Sequence, residues 1–245
     1  MLEGPDLVAA ALEAGVGIEA VYFEAAAATP ARAACAAVLA AAASRGVRLI
    51  ELDQGVLARV ADAVTPQPVL AVAALPDTGL ATVPAHGFVL VLHDVRDPGN
   101  LGTAVRAADA SGAAAVVVSG QSVDVFNPKT LRATAGSAFH LPVAVAGSLA
   151  EVVAVLHGTG RDVLGAVVRG GEPLWSAPIT AQAAVVVGGE AAGLGADEQA
   201  GLDGAVTIEM AGRAESLNVG VAAALVCFEA LRRRRGPLEG SPPPR

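Results

Sequence analysis

Three short segments place polar side chains and glycines directly after apolar runs. In HDVRDPGNLGTAVRAAD (93–109), Asn100, Thr103 and Arg106 lie three residues apart. At helical spacing they spread over roughly 120° and make one polar face. In VVVGGEAAGLG (185–195), Gly188 and Gly189 end an apolar run and let a ligand approach the backbone, and Glu190 opens the following loop. In IEMAGRAESLNVGVAAALVCFEAL (208–231), Ser216, Leu217 and Asn218 stand just before an alanine-rich helix. Loops that follow buried strands are where open α/β sheets bind ligands, so the three segments are expected to converge. None has the GxGxxG spacing of a dinucleotide phosphate loop, which argues against a nucleotide-dependent oxidoreductase. Taken singly, each also has a plainer account. Arg106 could be a solvated helix arginine, Asn100 and Ser216 helix caps, and Glu190 an exposed residue of an ordinary strand-to-helix turn.

The elements that would position these residues are legible as periodicity. FVLVLHDV (88–95), AAVVVSG (114–120), PVAVA (142–146), DVLGAVV (162–168), AAVVVGGE (183–190) and AVTIEM (205–210) read as buried strands separated by helical segments. Asp97 and Pro98 suit the cap and first turn of the helix that carries Arg106. Such alternation predicts a parallel sheet covered on both faces. A last helix is expected from about 217 to 235, with Arg232 to Arg235 complementing the negative end of its dipole. Upstream, the pattern predicts a helix over 4–15, a strand over 18–24, a helix over 30–46, a buried strand over 47–53, a helix over 54–62 and an apolar run over 69–75. The Pro- and Gly-rich stretch from Pro76 to Gly87 marks a domain boundary. The expected organisation is therefore 1–84, 85–236 and a frayed tail over 237–245.

Composition bounds the reading. Of 245 residues, 53% are hydrophobic and 16% charged, which describes a globular chain. Cys35 and Cys227 form no CxxC pair, so neither a disulfide framework nor a cysteine zinc site is indicated, no metal is expected, and a reducing cytoplasm fits. No membrane span or export signal is expected. The net charge of −8 argues against gripping nucleic acid by bulk electrostatics, so any such contact must use local cations.

In order and spacing, NLGTAVRAAD, VVVGGEAAGLG and IEMAGRAESLNVGVAAAL resemble the three motifs of the SpoU (TrmH) family of SPOUT RNA methyltransferases. The resemblance covers about 88–235. FNPKTLRATAGSAFHLPV (126–143) resembles the segment that family places between its first two motifs. EGPDLVAAALEAG (3–15) is similar to the opening of its small ribosomal-protein-L30e-like domain, with the start expected to be trimmed.

The resemblance implies an α/β fold: a C-terminal parallel-sheet SPOUT domain with a deep trefoil knot, preceded by a small L30e-like α/β domain. It implies a homodimer in which one subunit's motif-one arginine works near the other's cofactor. It implies transfer of a methyl group from S-adenosylmethionine to a ribose 2′-hydroxyl of RNA, with 23S ribosomal RNA favoured over tRNA. A noncatalytic RNA-binding protein is the different-class alternative. The cofactor role carries over to Gly188, Ile208 and Leu217, with Gly189 and the Ser119–Gly120 turn as further candidates. The catalytic set is Arg106, with Asn100, Glu190, Ser216 and Asn218. A guanidinium with a pKa above about 12 is a poor base, and suits orientation and stabilisation of developing charge. Glu190 is expected to accept hydrogen bonds from Arg106 or Asn218. Lys129, Arg132 and Arg213 are the candidate RNA-contacting cations, and Trp175 and His140 are expected to be packing residues.

Overall fold

A computed structural model of the chain describes residues 1–24, 31–61, 66–190 and 193–235. The expected tail over 237–245 lies outside the described residues. The chain forms two compact units, residues 1–76 with 126–140, and residues 77–125 with 141–245.

The first unit starts with β1 (Leu2–Glu3), α1 (Pro5–Glu13), β2 (Ile18–Glu24) and α2 (Ala31–Ser44), followed by β3 (Arg48–Leu52), the single turn α3 (Leu57–Val60) and β4 (Val69–Ala73). Pro5 occupies the first turn of α1, where its missing N–H costs nothing. Its sheet has the order β1-β4-β2-β3, with β2 parallel to β3 and antiparallel to β4. The sequence pattern predicts a buried strand at 47–53. Instead β3 is the sheet edge, its residues exposed or half-buried, because no strand among the described residues pairs with its outer side. The helix expected over 54–62 shrinks to one turn.

In the second unit β5 (Val89–His93), α4 (Pro98–Ser111) and β6 (Ala115–Ser119) come first. Residues 126–140, with α5 (Pro128–Thr134), then return to the first unit, so no single cut near residue 84 separates the two. There Arg132 donates to buried Glu3 across 3.2 Å. The remaining elements are β7 (Val143–Ala146), α6 (Leu149–Gly158), β8 (Val163–Ala166), β9 (Glu172–Pro173), β10 (Ala184–Gly188), α7 (Ala196–Ala200), β11 (Gly204–Thr207) and α8 (Val219–Arg235).

The strands of this unit align in parallel in the order β7-β6-β5-β10-β8-β11-β9. Parallel strands must be covered on both faces, and every residue of β5, β6 and β10 is buried. Val89, Val91, Val117 and Val186 meet Leu149, Val152 and Leu156 of α6 on one face. The alternate residues serve the other face, where α4 and α8 pack on each other. Gly220 allows that contact, since a Cβ there would lie 3.0 Å from Thr103 Cγ2.

Local chemistry fixes the helix ends. Asp97 Oδ1 accepts from Asn100 N at 2.8 Å to cap α4, and Gly112 ends it at φ 68°. The arginines at the end of α8 do more than complement their own dipole. Arg232 and Arg233 both pair with buried Glu229, and Arg234 donates to the carbonyls of Ser111 and Gly112 at the end of α4. Trp175 and His140, expected to be packed, are exposed. Cys35 and Cys227 are free and buried, and burial pushes the Cys227 thiol up to about 12. No helix among the described residues is long and apolar enough to cross a membrane.

Arg161 is 2% exposed, and among the described residues no carboxylate pairs with it. It donates to the carbonyls of Gly87 (3.1 Å) and Pro84 (2.6 Å) and to Thr159 Oγ1. Burial lowers its pKa, yet the guanidinium stays charged at neutral pH. Arg161→Met removes the donor from all three acceptors. Denaturant unfolding is expected to show a loss of about 2–4 kcal/mol, and an unchanged midpoint would show that solvent replaces the clamp.

Candidate functional site

The ends of β8 and β10, the residues after β11 and the start of α8 surround a cavity of about 270 Å³. Its walls are largely apolar: Val167, Val168, Val187, Ile208, Met210 and Leu217 line it, together with Gly188, Gly189, Gly193, Glu190 and Ser216. A dry slot with a few backbone polar groups suits a flat heterocycle, and the volume lies near the lower end of the usual range for ligand sites.

The glycines of the second segment act by excluding side chains. A Cβ on Gly188 would lie 2.4 Å from the carbonyl carbon of Gly193, and one on Gly189 would lie 2.2 Å from the carbonyl oxygen of Asp94. Backbone thus meets backbone on both sides of the strand end. Asp94 adopts a left-handed conformation at φ 57°, and its Oδ1 accepts from Gln121 N at 2.6 Å.

The polar residues of the three segments form a chain of hydrogen bonds. Asn218 Nδ2 donates to Asn100 Oδ1 at 2.8 Å, and Asn100 Nδ2 donates to Glu190 Oε1 at 2.9 Å. Glu190 also accepts from the backbone amides of Arg96 and Asp97, each at 3.4 Å. Its partners are therefore Asn100 and two amides, rather than Arg106 or Asn218. A carboxylate only accepts, whereas the Asn100 amide accepts on one side and donates on the other, so Asn100 is the natural middle member. Asn218 Oδ1 accepts from Val221 N at 3.2 Å, so Asn218, not Ser216, caps α8, and the helix starts at Val219.

Arg106 is exposed on α4 and takes no part in this chain. Ser216 is exposed and lines the cavity. Ser119 and Gly120 do not line it. Ser119 is buried against His93, and Gly120 turns at φ 68° beside Asp94. Of the candidate RNA-contacting cations, Lys129 and Arg213 are exposed, whereas Arg132 is engaged by Glu3. Periodicity missed Met210, Val167 and Val168 as cavity walls, although Val167 and Val168 directly follow β8 and Met210 lies just beyond β11. It also missed the Arg96 and Asp97 amides, which leave no mark in side-chain pattern. Among the described residues no group of three His, Cys, Asp or Glu side chains is placed to hold a metal.

Burial raises the Glu190 carboxyl, but hydrogen bonds from Asn100, from its own backbone amide and from the amides of Arg96 and Asp97 outweigh this and hold it below the ordinary carboxylate range. With the folded value depressed, the bonds stabilise the site above the ordinary glutamate pKa and are lost as pH falls through the lowered value. An NMR titration is expected to place the Glu190 midpoint below that of an unperturbed glutamate, about 4.3. Asn100→Ala is expected to move it upward, and an unmoved midpoint would show that the backbone amides alone hold the charge.

Comparison with known proteins places the chain among RNA methyltransferases. The SpoU rRNA Methylase family matches residues 87–228, and an MRM3-like substrate binding domain matches residues 1–71. The chain is 39% identical over 183 residues to the 23S rRNA (guanosine(2553)-2′-O)-methyltransferase RlmP of Bacillus subtilis, covering 75% of this chain and 72% of that protein. It is 35% identical over 176 residues to a 23S rRNA (uridine(2479)-2′-O)-methyltransferase of Streptomyces viridochromogenes, covering 69% of this chain and 61% of the relative. The crystal structure of the SpoU methyltransferase AviRb from Streptomyces viridochromogenes in complex with AdoMet superposes with a TM-score of 0.82 at 27% identity, over 96% of this chain and 90% of that one. With the family match spanning more than half of its residues, the chain belongs to the SpoU rRNA methylase family.

Proposed function

We propose that this protein transfers the methyl group of S-adenosylmethionine to a ribose 2′-hydroxyl of 23S ribosomal RNA in the cytoplasm. The observation that carries this reading is the Asn218–Asn100–Glu190 chain, whose Glu190 lines an apolar cavity while Arg106 stands exposed on the helix that carries Asn100. The named relatives act on 23S rRNA at a 2′-oxygen, which supports the choice of substrate.

S-adenosylmethionine supplies an electrophilic methyl group, and its transfer to a hydroxyl requires in-line placement and removal of the hydroxyl proton. Ile208, Leu217, Val187 and the Gly188–Gly189 backbone offer the apolar walls and close backbone that an adenine ring needs. Ser216, exposed at the cavity wall, is placed to orient the ribose or the cofactor. Asn100 and Asn218 act by holding Glu190 and the start of α8 in register. Arg106, permanently charged, holds a neighbouring phosphate or stabilises charge developing on the ribose oxygen. Exposed Lys129 and Arg213 add local positive charge to a chain that is acidic overall, so RNA binding weakens as salt rises.

The active form is a homodimer. Val221 and Phe228 of α8 are 47% and 48% exposed and stand seven residues apart, on one helix face. An apolar pair on the helix that opens at the cavity suits a second copy of the chain. Phe228→Glu is expected to shift the protein to monomer by sedimentation, and a variant that stays dimeric would place the interface elsewhere.

Arg106→Ala is expected to lower the methylation rate by about 10²-fold or more while S-adenosylmethionine affinity by calorimetry stays within about twofold. Near-normal methylation by that variant would remove Arg106 from the chemistry. Mapping the product after reaction with labelled cofactor and separate rRNA and tRNA pools tests the substrate, since a methylated base or a tRNA product would overturn the assignment. Absence of cofactor binding would leave a noncatalytic RNA-binding protein.

A further inference from the structure

The ends of β10, β5 and β6 lie side by side, with Gly188, His93 and Ser119 as lateral neighbours. His93 is 6% exposed, and both ring nitrogens are engaged. Nδ1 lies 2.9 Å from Ser119 Oγ and Nε2 lies 2.7 Å from Glu198 Oε1. A carboxylate only accepts, so Nε2 donates to Glu198, which leaves Nδ1 to accept from the Ser119 hydroxyl. Asp94 Oδ1 also faces the ring, 4.0 Å from Nε2.

Serine, histidine and glutamate in contact are the residue types of an activated nucleophile. Here Ser119 is 1% exposed and lines neither the cofactor cavity nor the one beside His93, so no substrate reaches it. The cluster holds something in place. Glu198 Oε2 accepts from Gly195 N at 2.7 Å, and Gln199 Nε2 donates to Leu194 O at 2.7 Å. One carboxylate thus joins the backbone just beyond Gly193, a cavity-wall residue, to the strand end beside Gly188. The Gly193 and Leu194 backbones in turn fill the space over Gly188 that a Cβ would need.

We propose that His93 and Glu198 are positioning residues for the cofactor cavity, a latch that holds the Gly193–Gly195 backbone against the strand ends so that the wall is formed before the cofactor arrives. The inference rests on the reading of this cavity as the S-adenosylmethionine site. Glu190 fastens the start of the same loop on the Arg96 and Asp97 amides, and the latch fastens its end. A preformed wall lowers the ordering cost of binding and leaves the transfer step untouched.

The test is calorimetric titration of the full-length protein with S-adenosylmethionine, paired with methylation of a 23S rRNA transcript at saturating cofactor. Glu198→Ala and His93→Leu are expected to weaken cofactor binding about tenfold while kcat stays within about twofold. His93→Gln, which keeps a donor toward Glu198, is expected to restore most of the affinity. Glu198 is one-third exposed beside an open cavity, so its substitution tests the latch even if His93→Leu does not fold. Unchanged affinity in Glu198→Ala, or a fall in kcat with affinity intact, overturns the proposal. Wild-type protein that binds no S-adenosylmethionine overturns the reading of the cavity as well.

Discussion

Everything at the site depends on two glycines whose missing side chains let strands of backbone touch. At Gly188 the chain folds back on itself, and at Gly189 it passes against the carbonyl of Asp94. Any Cβ would push these segments apart by more than an ångström, so no adjustment of neighbouring rotamers could restore the contact. The close approach brings Glu190 within reach of the Arg96 and Asp97 amides and of Asn100. The start of α4 joins through Asp97, and the start of α8 joins through Asn218. Three segments far apart in sequence thereby become one polar frame beside an apolar cavity.

The division of labour is set by what each side chain can still do once its neighbours are satisfied. Glu190, Asn100 and Asn218 spend their donors and acceptors on one another and on backbone amides, so they hold shape. Arg106 and Ser216 stand outside that frame with polar atoms facing outward. Elsewhere several arginines are committed internally, to Glu3, Glu229, the loop at Pro84–Gly87 and the carbonyls that end α4. The local cations that remain for a polyanion are therefore few, and their placement matters more than their number.

Much of this is legible in the sequence. The apolar runs that became β5, β6 and β10, the cap at Asp97 and the convergence of the three polar segments all follow from local pattern, because burial on both faces and capping leave direct marks in residue type. What local pattern could not show is pairing across the chain. The edge position of β3 depends on which strands flank it, the return of residues 126–140 to the first unit depends on packing partners, and the Glu3–Arg132 pair joins residues at opposite ends of that unit. The same limit misassigned the partner of Glu190 and the cap of α8. Spacing brought Asn218 and Ser216 near the site, and only geometry showed which one faces Asn100 and which faces the cavity.

The strand order carries a kinetic consequence. The central ladder of the second sheet joins Val89 to Ala184, with β6 and β7 on one side and β8 on the other. Residues between these two strands therefore have to be synthesised and held before the middle of the sheet can close. Loop closure over such a span is entropically uphill until the ladder forms, so this unit is expected to fold slowly, with its apolar central strands exposed for longer than those of a sheet paired between neighbours in sequence. During synthesis Val89–His93 can pair with Ala115–Ser119 on one side, but its other edge stays open until Ala184–Gly188 has emerged, and that waiting period is when the chain is most open to aggregation.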